Sequence, residues 1–198
     1  MKTLCLLFSF ALAATVAQAQ TERFFYPDAF YFVKEVNVKS QKGKSFHVEI
    51  SVKEKPADNI SKPRIYAIQA RKGKDNFIGH TLTYAKAVDG DWKTYVIDGV
   101  VSDDATRVWV YISVNGNGDF YFDNLRFFLS DSSGALQEQK LANASFEERK
   151  PLAGYYISQP LSSELRVGIS RVAYDGKQSI QISTAGQKAA PYHPFASN

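Results

Sequence analysis

Trp109 and Tyr111, with Arg107 just before them, alternate with Val108, Val110, Ile112 and Val114 along one stretch of chain. Successive side chains of a β-strand point to opposite sides. This spacing therefore puts the aliphatic residues on one face and Arg, Trp and Tyr on the other. The chemistry open to that second face is recognition. A planar aromatic ring stacks on the C–H face of a sugar ring, while neighbouring polar groups bond its hydroxyls. The chain runs on through Gly116-Asn117-Gly118 into Phe120–Leu129, and a turn there predicts a hairpin of two long strands. On that pairing Phe122, Asn124 and Arg126 share the face of Trp109 and Tyr111. His47, Glu49 and Tyr66 then add polar groups from neighbouring strands. Trp92 opens a strand of its own and is assigned to packing.

Residue types suited to catalysis are poorly arranged. The three histidines, His47, His80 and His193, show neither HxH nor HExxH spacing. No GxSxG elbow or phosphate loop is present. The acid pairs Asp103-Asp104 and Glu147-Glu148 suit a glycosidase only if two carboxylates flank the bond, and adjacent acids on a strand point apart. The reading is therefore a non-catalytic binding module, with a glycan hydrolase or lyase as the alternative enzyme. Its partner is a glycan or polysaccharide; a second reading is an accessory domain that uses the same face against another protein.

The elements that must position these residues are strands. Alternating segments at 30–38, 45–52, 64–70, 76–83, 93–97, 107–114 and 120–129 are separated by Gly, Asn, Asp and Pro turns. Two more follow at 165–172 and 178–182, divided by Tyr174-Asp175-Gly176-Lys177. No segment has the period of an amphipathic helix. The fold class is all-β, an antiparallel sandwich of jelly-roll type.

Residues 1–19 read as a cleaved signal peptide: Lys2, then apolar Leu4–Val16, then the small-x-small site Ala17-Gln18-Ala19. Residues 20–198 form one sandwich, with a main block at 20–131, a linker at 132–142, completing strands at 143–184 and a tail at 185–198. The only cysteine, Cys5, falls in the signal segment, so the mature chain has no disulfide and no thiol chemistry. Secretion or residence in a bacterial periplasm follows, with no lipid anchor and no membrane span. The formal charge of +4 comes from scattered lysines without a basic stripe, which argues against nucleic acid.

Five stretches carry a family resemblance. They are Lys34–Lys53, Gly90-Asp91-Trp92-Lys93-Thr94-Tyr95, Gly118–Leu125, Asn143–Glu148 (NASFEE) and Tyr174–Ser183 (YDGKQSIQIS). Together they resemble carbohydrate-binding modules of the galactose-binding-like jelly-roll type. The order departs from that pattern, because the family's opening elements stand here at the C-terminal end. Two arrangements fit: a circularly permuted single jelly roll, or the front of a longer tandem protein. The resemblance also implies a structural calcium between terminal strands, held by Asp123 and Glu147, with no catalytic cofactor.

Overall fold

The computed structural model describes residues 24–25, 28–71, 74–81, 84–87, 90–158 and 164–191. The expected signal peptide and the end of the tail lie outside the described residues. Fourteen strands follow in order: β1 (Phe24–Phe25), β2 (Asp28–Asn37), β3 (Ser45–Pro56), β4 (Lys62–Arg71), β5 (Lys74–Thr81), β6 (Tyr84–Ala87) and β7 (Trp92–Val100) come first. After them come β8 (Ala105–Asn115), β9 (Gly118–Ser130), β10 (Leu136–Gln139), β11 (Tyr156–Ile157), β12 (Arg166–Ser170), β13 (Ser179–Thr184) and β14 (Ala190–Pro191). All nine expected strands are present to within a few residues. The sequence reading did not anticipate β1, β6, β11 or β14, or β10 within the expected linker.

The strands form two antiparallel sheets packed as a β-sandwich. One has the order β11-β2-β8-β4-β5; the other has the order β12-β13-β9-β3-β7-β6, with β10 also paired to β9. A small β1–β14 pair lies apart from both. The passages β2–β3, β3–β4, β7–β8 and β8–β9 each cross from one sheet to the other, as in a jelly roll. Among the described residues no helix is long and apolar enough to cross a membrane.

The alternation in β8 buries as predicted: Val108, Val110, Ile112 and Val114 are fully enclosed. The expected β8–β9 hairpin is not formed. β8 pairs with β2 and β4, while β9 pairs with β3 and β13, in opposite sheets. A strand has only two edges, and both strands fill theirs with other partners. Residues 116–118 are therefore an arch, and the valine face of β8 lies over Phe120, Phe122, Leu125 and Phe127 of β9 within one core. The arch is held at both ends. Asn117 N donates to Ser61 Oγ at 2.8 Å, Gln187 N donates to Asn117 Oδ1 at 2.9 Å, and Thr184 Oγ1 donates to Gly116 O.

The C-terminal residues belong to the same core. Phe146, Ile180 and Ile182 are fully buried in it. β13 extends the long β3–β9 ladder at Phe120–Phe122, and β10 takes the same edge of β9 further on. Between these two contacts β9 is irregular. Asn124 adopts a left-handed backbone (φ 50°), and Leu125 N turns to Ala144 O at 3.0 Å. Residues 142–155 close the sandwich beside β2. Phe146 meets Phe32 edge-on and stacks on Tyr155.

Candidate functional site

The outer face of the five-stranded sheet carries Arg107, Trp109 and Tyr111, as the alternation required. Its neighbours are supplied by register. Tyr66 lies opposite Tyr111 on β4, and Glu35 lies opposite Trp109 on β2. Tyr31 and Tyr66 stack on the two sides of Tyr111, at ring separations of 4.6 and 4.5 Å. Beside this ladder Trp109 Nε1 donates to Glu35 Oε2 at 3.0 Å, and Arg107 Nη1 donates to the same oxygen at 3.2 Å. Trp109 and the three tyrosines are half-buried and Arg107 is exposed. The faces of Tyr111 are therefore spent on its neighbours. Rings locked against one another on a sheet lose little freedom when a ligand arrives, which lowers the cost of binding.

Sequence reasoning missed Glu35 and Tyr31. The signal was weak because Lys34 interrupts the apolar face of Phe30, Phe32 and Val36. Lys34 is only 5% exposed, and its ammonium donates to Ala142 O at 2.6 Å while lying 4.4 Å from the Tyr155 ring centre. Burial lowers its pKa from the ordinary lysine value, with the Glu148 charge pulling it back. It ties the 142–155 segment to β2.

The other expected ligand residues do not join Trp109 and Tyr111. Phe122 is fully buried in the core. His47, Glu49 and Arg126 lie on the outer face of the seven-stranded sheet, across the whole thickness of the sandwich. Asn124 sits at the irregularity of β9. The reason is the arch, since strands in opposite sheets turn their outer faces in opposite directions. His47, Glu49 and Arg126 form a network of their own. His47 Nδ1 meets Asp98 Oδ1 at 2.6 Å, and Nε2 meets Glu49 Oε1 at 3.2 Å. Arg126 donates to Glu49 Oε2 at 3.2 Å and to Glu138 Oε2 at 2.6 Å. Burial pulls the His47 pKa down, but hydrogen bonds to Asp98 and Glu49 and their charges more than offset it and leave the pKa raised. Both ring nitrogens lie against carboxylates, Asp98 on β7 and Glu49 on its own strand, so this histidine ties β3 to β7.

Asp123 and Glu147 both grip the 174–178 loop. Asp123, fully buried, accepts Asn124 N at 2.7 Å through Oδ1, and Tyr174 N at 2.8 Å and Asp175 N at 3.1 Å through Oδ2. Glu147 Oε1 accepts Lys177 N at 2.8 Å and Gln178 N at 3.0 Å. Burial raises the Asp123 pKa against the pull of these amides, and the Glu147 charge adds to the rise. A calcium ion takes six to eight hard oxygens. Here three carboxylate oxygens are turned to N–H donors, and among the described residues no group of three or more His, Cys, Asp and Glu gathers to hold a metal. This arrangement fits a loop clamp rather than an ion cage.

No protein-family model, no curated protein and no solved structure matches this chain.

Proposed function

We propose that this protein is an exported, non-catalytic module that binds a glycan on the outer face of its five-stranded sheet. One observation carries the reading: the ladder Tyr31–Tyr111–Tyr66 lies beside Trp109 with its Glu35 and Arg107 partners on a rigid strand surface. The arrangement suits a hydroxyl-rich ligand. Trp109 supplies an apolar surface, the tyrosine edges supply hydroxyls, and Glu35 and Arg107 supply an acceptor and donors of fixed direction. A sandwich hosts many roles, so the proposal stands on this site and not on the fold.

The test is a glycan-array and pull-down screen of purified residues 20–198 beside the Trp109→Ala/Tyr111→Ala double variant, with an unchanged melting transition as the control for folding. Binding to a polysaccharide that disappears in the variant supports the proposal; a well-folded protein that retains no glycan overturns it. One observation favours a second reading, a protein partner. With both faces of Tyr111 covered, the ladder presents a flat row of edges, as a protein interface does. A pulled-down protein lost in the same variant, with no glycan retained, would select that reading.

A further inference from the structure

The outer face of the seven-stranded sheet holds a second organised surface. Register places Trp92, Lys53, Tyr121, Gln181 and Gly168 in one row across β7, β3, β9, β13 and β12. A parallel row runs Lys55, Asp119, Ser183 and Arg166. At strand spacing the first row spans about 19 Å.

One end of the strip is aromatic. Trp92 is half-buried and Tyr174 is 38% exposed, and their rings meet at 5.7 Å and 58°, forming a corner. Beside it Lys53 Nζ bonds Asp91 Oδ2 at 2.7 Å. Tyr174 stands on the loop that joins β12 to β13, and Asp123 and Glu147 fix four of its backbone amides. That clamp orders an exposed aromatic side chain before any ligand arrives.

The other end is polar. A groove of about 830 Å³ is lined by Asn117, Asp119, Glu164, Arg166, Ser183 and Thr184 among others. Asp119 Oδ1 accepts from Ser183 Oγ and, at 3.1 Å, from Gln181 Nε2. Gly168 leaves open space between the row and the groove. Lys53 pairs with Asp91, register sets Lys55 beside Asp119, and Arg166 and Glu164 line the same groove, so cations and anions alternate along the strip.

We infer that this strip is a second binding site for a neutral oligosaccharide, lying across the strands, with one sugar ring in the Trp92–Tyr174 corner and the hydroxyls of sugars further along the chain met by the polar end. Mixed charge favours a neutral chain over an acidic one, and the aromatic rings offer an apolar surface to the C–H face of a pyranose. The inference rests on the glycan reading and deepens it with a distinct site and a ligand charge.

The chain has two tryptophans, one at each site, and this makes the two proposals separable. Trp109→Phe leaves Trp92 as sole reporter, and Trp92→Phe leaves Trp109. Each protein is titrated with soluble β-glucan, xylan and galactan oligosaccharides, and with polygalacturonate as the anionic comparison, while emission is recorded. The strip predicts a saturable shift of Trp92 emission by a neutral oligosaccharide, weakened about tenfold by Tyr174→Ala in a variant that melts normally. A silent Trp92 with a responding Trp109 overturns the strip and leaves the first site standing. A responding Trp92 with a silent Trp109 supports the strip and overturns the first site. Silence from both overturns both, and a Trp92 response to polygalacturonate alone overturns the neutral ligand.

Discussion

Removing residues 143–198 tests the architecture most severely. The cut deletes Phe146, Ile180 and Ile182, each fully buried in the shared core. Deleting a buried phenylalanine side chain costs about 3–5 kcal/mol and a buried isoleucine about 2–5 kcal/mol. Treated as separate sites, the three together amount to about 7–15 kcal/mol. That matches the whole stability of an ordinary domain, about 5–15 kcal/mol. The cut also bares the edge of β9 from Gly118 to Phe122 and frees Lys34 Nζ from Gly154 O. Residues 20–142 and 20–198 are compared by far-UV circular dichroism during urea and thermal melts. The expected result is a cooperative transition in the longer chain and none in the shorter one. A shorter chain that melts cooperatively at the same midpoint would refute the shared core. Ile180→Ala in the full chain grades the effect, lowering the melting temperature by roughly 4–20 °C.

Three further outcomes follow from the structure. The raised His47 pKa stabilises the fold below its ordinary value near 6.5, and that contribution is lost as pH rises through the higher folded value. The melting temperature of the parent should therefore approach that of His47→Gln as pH increases from 6.5, and parallel curves would disprove the link. Asp123→Ala leaves three backbone N–H groups without their acceptor, each worth about 1–3 kcal/mol, and should speed hydrogen exchange at Asn124 and in residues 171–178. Unchanged exchange there would remove the clamp from the account. Gly99→Ala should destabilise by about 1–3 kcal/mol, because its Cβ would stand 2.4 Å from the Phe46 ring; a neutral urea midpoint would count against the packing described.

Local periodicity determined which residues lie in strands and which way most of them face. Val108 to Val114 and Phe46 to Val52 could be read directly, because the alternation of side chains along a strand is a property of the backbone itself. Export and the binding chemistry of Trp109 and Tyr111 were expectations drawn at the same level. Partner choice was not local. Whether β8 and β9 pair edge to edge or lie face to face depends on which other strands occupy their edges, and β2, β4, β3 and β13 come from distant parts of the chain. That choice separated His47, Glu49 and Arg126 from Trp109 and Tyr111, and it joined Glu35 to Trp109 across β2. Lys34 faces the core by the alternation of β2, but the carbonyls of residues 142 and 154 and the Tyr155 ring that receive its buried ammonium come from a distant segment. Faces follow from the period of the chain, but sites follow from long-range pairing, whose entropic cost only the assembled core repays.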